Sequence, residues 1–455
     1  MFESAELGQK LDKATFKKRE LELRGALLEA QFGLAERNDF SVVVLIGGVD
    51  GAGKGETVNT LNFWMDPRQI ETNAMGEPTQ EERERPRMWR FWRALPPQGK
   101  IGIFFGSWYT APIVDRVSGK TDDADLETSI DEILRFEAML ASEGTLILKY
   151  WMHLSKQQQK RRLNALEKDL ETRWRVTDTD GEKFKLYDDF RAVSEIALRR
   201  TSVPHAPWIV VGGADPNYRM ITTATSLLEG LRTRLDNNPP RPPSITLPKL
   251  SGPDDRRVLQ TLDLSLRLPR KKYRQELQSL QGRLNLLSRD EKMKERSVVL
   301  VFEGADAAGK GGTIRRTVAA LDARFYRVIP IAAPTDEERA RPYLWRFWRH
   351  LPRTGHFTIF DRSWYGRVLV ERVEGFAPET DWMRAYGEIN DFEAEMHRHG
   401  VIIAKFWLHI SQEEQFRRFK GREETDHKRY KLTEEDWRNR EKWDAYEEAI
   451  CNLVE

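Results

Sequence analysis

The sequence predicts an α/β protein laid down twice in tandem, each copy a parallel sheet covered on both faces by helices. Three observations predict it. GVDGAGKG at 48–55 returns as GADAAGKG at 304–311, and the same offset of 256 positions aligns RPRMWRFWRALP (85–96) with RPYLWRFWRHLP (341–352). One constant offset leaves almost no insertions or deletions, which marks a tandem duplication. Short apolar runs alternate with helical patterns, and a glycine-rich turn follows the first apolar run of each copy, as in parallel sheets buried on both sides.

The elements follow in the same order in both copies. A charged helical stretch (about 10–37, and about 268–294) leads into an apolar, β-branched run, SVVVLIGG or SVVLVFEG. After the glycine turn and a helical pattern comes a second strand, IGIFF or FTIFD. A helix around FEAML or FEAEM precedes a third strand, TLILKYWMHL or VIIAKFWLHI. The first copy adds APWIVVGG at 206–213. At that offset its counterpart falls beyond Glu455, so either the chain is truncated or the second sheet ends one strand short. Between the copies, LDNNPPRPPSITLPKLSGPDD (235–255) has too much proline for a helix or central strand and reads as an extended linker. The expected domains are 1–234 and 256–455 with 235–255 between them.

Composition narrows the function. Hydrophobic residues are 39% and charged ones 32% of the 455, with net charge +2. A folded, charge-rich surface follows, but no global basic field for nucleic acid, so any anion site is a local cluster. Cys451 is the single cysteine, which leaves no internal disulfide. MFESAELGQKLDK lacks an apolar leader and no run approaches a membrane span, so the expected location is the cytoplasm, with no membrane partner.

The chemistry concentrates in the second copy. In a Walker A-type loop, Gly304, Ala307, Ala308, Gly309, Gly311, Gly312 and Thr313 place backbone N–H groups where a strand meets a helix N-terminus, a natural phosphate cradle. Lys310 adds a point charge to the same oxygens. Gly311 stands where the usual pattern has a magnesium-binding Ser or Thr, and Thr313 comes two positions later. Asp306 inside the loop and Asp361 ending the second strand are therefore the candidate metal carboxylates. Arg362 and Arg367 suit phosphate oxygens because guanidinium groups bind them bidentately. In RPYLWRFWRHLP the Trp and Phe are expected in the core, with Arg339, Arg341, Arg346 and Arg349 facing solvent or a ligand, some of them a phosphate. The basic stretch 417–446 is a candidate lid that closes over phosphates.

Taken together these residues resemble the polyphosphate kinase 2 family, whose G-x-D-x-x-G-K-G appears as GADAAGKG and whose D-R-S-W-Y-x-R appears as Asp361 to Arg367. The resemblance covers nearly the whole chain twice. It implies a P-loop kinase-like α/β/α sandwich with a helical lid, similar to thymidylate kinases, that moves a terminal phosphate between inorganic polyphosphate and a nucleotide with Mg2+. Two fused copies resemble the subgroup that phosphorylates AMP to ADP. Carried over, Asp306 and Asp361 hold metal and orient the attacking oxygen. Lys310, Arg362 and Arg367 hold the transferring phosphate, and Arg422, Lys428, Lys431 and Arg438 close on the polyphosphate. Such chemistry needs positioning and charge neutralisation rather than a covalent nucleophile.

The first copy departs from this pattern. Phe105, Gly106, Ala111, Leu166 and Glu182 stand where the second has Asp361, Arg362, Arg367, Arg422 and Arg438, while Asp50, Lys54, Arg83 and Arg85 remain. One active site per chain, in the second copy, is the expectation. The rival readings are an ATP-dependent nucleoside monophosphate kinase and a nucleotide- or polyphosphate-binding regulator without turnover. The sequence leaves assembly, including a homo-oligomer, open.

Overall fold

The computed structural model describes residues 1–171, 173, 178–237, 258–424 and 434–454, with the backbone alone at 178–181 and 435. Most of the 235–255 stretch lies outside the described residues. The described chain forms two compact units, one of residues 1–78, 90–237 and 335–343, the other of 79–89, 258–334 and 344–454. Two short segments thus count with the unit of the other copy. Within the first unit Gln98 N donates to Ala340 O (2.7 Å). Within the second, Thr354 N donates to Glu84 O (3.2 Å) and Arg85 Nε to Leu351 O (3.0 Å).

The first unit carries a five-stranded parallel sheet of β1 (Val42–Gly48), β2 (Ile70–Ala74), β3 (Ile101–Phe105), β4 (Leu146–His153) and β5 (Trp208–Gly212), in the order β2-β3-β1-β4-β5. β1 pairs with β3 on one side and β4 on the other, with Val44 opposite Ile103 and Leu148. The strand order reverses around β1, so a crevice forms at the carboxyl ends there. Val42 to Ile46 are all buried, as a strand covered on both faces requires. Helix Lys13–Arg37 starts where Asp12 accepts from Ala14 N (3.0 Å) and Thr15 N (2.9 Å), and it packs along helix Pro216–Asp236.

The second unit repeats this with four parallel strands, β6 (Val298–Gly304), β7 (Tyr326–Pro330), β8 (Phe357–Asp361) and β9 (Ile402–Leu408), in the order β7-β8-β6-β9. Among the described residues this sheet ends one strand short. β4 is almost wholly buried, whereas its counterpart β9 is an edge on which Ile402 and Phe406 are each 45% exposed. Helix Arg270–Ser288, the counterpart of Lys13–Arg37, buries no residue. No described helix is long and apolar enough to cross a membrane.

Ser-Trp-Tyr anchors the sheet end in both copies. Trp108 Nε1 and Tyr109 Oη both donate to Glu137 Oε1 (3.0 and 2.8 Å), and Lys149 Nζ reaches Glu137 Oε2 at 2.7 Å. Trp364, Tyr365, Glu393 and Lys405 repeat the pattern at 2.9, 2.5 and 2.8 Å.

Candidate active site

β6 delivers the second copy's loop. Gly304 has φ +137°, and a Cβ there would lie 2.2 Å from Leu408 O, so the strand can approach its neighbour only with glycine. The loop turns through Ala307 (φ +61°) and Gly309 (φ +113°), the N-cap of helix Lys310–Val318. Lys310 folds back over the loop: its Nζ donates to Gly304 O (2.6 Å) and Ala305 O (3.3 Å) and lies 4.0 Å from Asp306 Oδ1. Ala308 N is tied to Ala305 O at 3.1 Å, and Gly312 N and Thr313 N both reach Gly309 O at 3.0 Å. The Thr313 hydroxyl also donates to Gly309 O, at 3.3 Å, so it serves the helix backbone. Gly311 leaves open space beside the helix start.

Asp306 is the hub. Its Oδ1 accepts from Arg362 Nη2 and its Oδ2 from Asn439 Nδ2, both at 2.9 Å, and its backbone oxygen accepts from Gln415 Nε2 at 3.1 Å. Burial pushes its carboxyl up, but the Lys310 and Arg362 charges outweigh this and hold it below the usual carboxylate range. Burial likewise pulls the Lys310 ammonium down, partly offset by Asp306. Arg362 sits at φ +64°, a left-handed conformation rare for a side chain of that size, with its N–H on Phe302 O (3.0 Å). Asp361 ends β8 opposite Phe302 of β6, close enough for its charge to act on Lys310.

Other expected residues have contacts of their own. Arg367 pairs with Glu371 (3.0 Å) and Asp381 (3.8 Å), Arg438 pairs with Glu374 (3.0 Å), and Arg422 lies 6.0 Å over the Phe419 ring. Lys428 and Lys431 lie outside the described residues. Trp345, Phe347 and Trp348 are buried as expected, but Arg346 is a correction: it is buried too and donates to Ala332 O (2.9 Å). Arg339 pairs with Asp336, Arg341 with Glu337 (3.8 Å), and Arg349 stacks over Trp345 (4.7 Å). Arg339, Arg341 and Arg349 thus meet acidic or aromatic residues three or four positions away, whereas Arg346 meets a backbone oxygen fourteen positions away.

The family model described as Polyphosphate kinase 2 matches residues 10–239 and again 267–455. The chain belongs to the polyphosphate kinase 2 family. Across its whole length it is 54% identical to a polyphosphate:AMP phosphotransferase of Pseudomonas aeruginosa, covering 92% of that protein. It is 37% identical to one of Acinetobacter johnsonii, over 94% of this chain and 87% of that one. A crystal structure described as a polyphosphate kinase 2 from Pseudomonas aeruginosa superimposes with TM-score 0.90 at 52% identity, over all of this chain and 91% of that one.

Within this polyphosphate kinase 2 chain, four polar residues at the second loop escaped the sequence reading. Glu303 is buried beneath it, accepts from Ser363 Oγ at 2.8 Å, and has its carboxyl pushed up by burial. Asn439 and Gln415 hold Asp306, as above. Arg418 Nη1 donates to Ala307 O (2.9 Å) and Ala308 O (3.1 Å), clamping the loop from helix Gln412–Glu423. The repeat itself carries a signal for two of them, since Gln159 and Arg162 stand at the matching positions of the first copy.

The first copy keeps the loop and changes its surroundings. Lys54 Nζ donates to Gly48 O (2.8 Å) and Val49 O (3.1 Å), and Asp50 lies 3.2 Å from Lys54 and 3.6 Å from Lys183. Gly47, Gly51, Phe105 and Gly106 replace Glu303, Ala307, Asp361 and Arg362. The cavity beside the loop is about 520 Å³ in the first copy and about 100 Å³ in the second.

Proposed function

We propose that this chain transfers the terminal phosphate of inorganic polyphosphate to AMP, giving ADP, and that residues 256–455 do the chemistry while 1–234 do not. An AMP phosphate oxygen forms the new bond to the terminal phosphorus, and the bridging oxygen leaves with the shortened polyphosphate. The observation that carries the location is the Asp306–Arg362 contact at the loop, which the first copy cannot make because Gly106 replaces the arginine. The reaction comes from relatives named polyphosphate:AMP phosphotransferase that match the whole chain.

In this reading Lys310 and the N–H groups between Gly304 and Thr313 that are not bonded to Ala305 O or Gly309 O hold the transferring phosphate, with Arg362 on its other oxygens and Arg367 joining by exchanging Glu371 for them. Asp306 and Asp361, two carboxylates that both act on Lys310, fit a hard divalent cation such as Mg2+, which takes oxygen ligands and shares them with substrate phosphates. Bound there, Mg2+ would supply charge neutralisation during transfer. Arg422, Lys428, Lys431 and Arg438 close on the polyphosphate; for Arg438 this means exchanging Glu374 for phosphate oxygens. A single cysteine supports a reducing compartment, the cytoplasm, as the enzyme's location.

The test is ADP formation from AMP with polyphosphate or ATP as donor. Lys310→Ala loses about 10²-fold or more of turnover, as expected when a preorganised charge is removed, and Lys54→Ala loses far less. Full turnover in Lys310→Ala beside loss in Lys54→Ala reverses the assignment; ATP outperforming polyphosphate replaces the donor.

A further inference from the structure

We propose that the cavity of the first copy is a binding site for a nucleoside monophosphate, held without turnover. Its non-catalytic character rests on placing the chemistry in the second copy; the binding itself rests on four observations within the first unit.

The cavity, about 520 Å³, is in the range that takes small organic ligands. One end is the phosphate loop, with Gly48, Asp50 and Lys54 in its lining. The other walls are apolar: Met75, Phe105, Ile113, Val114, Trp151 and Phe190. Trp151 and Phe190 stack on each other with centroids 5.9 Å apart and planes at 22°, a surface a nucleobase can extend. A bare inorganic anion has no use for such walls.

Two buried polar atoms on the lining have no partner among the described residues: Trp151 Nε1, a donor, and Gln159 Oε1, an acceptor. Both side chains are deeply buried, at 3% and 5% exposure. In the second copy the matching acceptor, Gln415 Oε1, receives Arg440 Nη1 at 3.4 Å. Phe184 stands in place of Arg440 and cannot donate. No described residue replaces the lost partner, and buried polar atoms normally find one. The donor and acceptor groups of a nucleoside can satisfy both.

Charge sets the number of phosphates. Lys54 and Lys183 flank Asp50, and Arg162 and Arg219 share Glu56 beside Gly51 and Gly53, leaving about two net positive charges at the loop. Gly106, Ala111, Leu166 and Glu182 stand where the second copy has arginines, so a long polyanion finds too few cations here. A single phosphate matches. With Phe105 at the place of Asp361, the bound nucleotide meets no second carboxylate.

Equilibrium dialysis of the full chain with labelled AMP, without polyphosphate, tests this. The wild type is expected to bind two AMP per chain. Lys310→Ala, which leaves the first copy untouched, keeps at least one, and Val114→Trp, which fills the cavity from an exposed wall position, loses one. Lys54→Ala weakens the first-copy site at least tenfold, should Val114→Trp fold poorly. Loss of all bound AMP in Lys310→Ala overturns the proposal, as does a stoichiometry of two in both Val114→Trp and Lys54→Ala. Inorganic phosphate competing as well as AMP at the site left in Lys310→Ala overturns the nucleoside part. Turnover in the same preparations separates the two claims. Surviving turnover in Lys310→Ala sinks the catalytic assignment, whereas lost turnover with no residual AMP sinks only this site.

Discussion

The two phosphate loops share a backbone and differ in what it carries. Gly48 and Gly304 have nearly the same φ, +135° and +137°, and in each copy the loop lysine folds onto the same carbonyl. The Trp–Tyr–Glu–Lys anchor below is repeated bond for bond. The differences fall where holding a group is costly. Ala307 and Arg362 sit in left-handed backbone at φ +61° and +64°, and their counterparts are Gly51 and Gly106 at +77° and +82°. Glu303, a carboxyl pushed up by burial, is matched by Gly47, and Asp361 by Phe105. Three of these four changes in the first copy relieve strain or remove a buried carboxyl. Features kept at a local cost are the ones a reaction requires.

The anchor gives the largest expected contrast. Glu137 and Lys149 are both fully buried, while Lys405 is 49% exposed. Removing one member of a buried pair strands the other charge, so Lys149→Met is expected to destabilise the first unit by about 3–5 kcal/mol. Lys405→Met should lose about 1 kcal/mol or less, because water already screens that pair. Urea unfolding of the two variants measures both; equal losses would mean that the exposure of Lys405 makes no energetic difference to this network.

The strained positions sharpen the comparison next. Arg362→Gly copies the first site into the second. ADP formation is expected to fall about 10²-fold, the scale for one preorganised donor. Ala307→Gly tests the strain alone, stabilising the second unit by up to about 1 kcal/mol, since a left-handed residue costs about 1–2 kcal/mol and added chain entropy takes part of it back. Gly51→Ala in the first copy should shift stability the other way by a similar amount. A neutral result in both would show that the loop bends to accommodate the Cβ.

Much of this was legible in the sequence, and the misses have physical causes. β6 and the loop could be read because apolar strand, glycine turn and lysine come in an order few other structures use. Asp361 at the end of β8 followed from the same logic. Glu303 was hidden inside the apolar run SVVLVFEG, where a buried acid looks like the strand's polar edge. Asn439 and Gln415 carry no charge to draw attention, and only the fold brings them to Asp306. The carboxylate partners of Arg367 and Arg438 were not legible either, Glu371 lying only four positions along and Glu374 far away in sequence. Charge type is local information; pairing is not.

The smallest effect separates the copies by pH. His153 and His409 are repeat partners, and burial pulls both below the ordinary histidine value of 6.5. His153 is fully enclosed, sharing a hydrogen bond with Glu6 (2.8 Å) and stacking on Phe2 at 4.3 Å, with Arg191 and Glu3 also acting on it. Glu6 pulls the value back up, but burial prevails. A histidine kept neutral in the folded state binds fewer protons than in the unfolded chain below pH 6.5, so its contribution is intact above that pH and is lost as pH falls toward the folded value. His153→Gln should therefore flatten the acid side of the stability curve more than His409→Gln, whose imidazole is only partly buried. Unfolding of both variants and the wild type, compared at neutral pH and about one unit below the histidine value, reads the difference. A steeper acid loss in His153→Gln than in the wild type would mean that Glu6 wins and that the enclosed imidazole is charged.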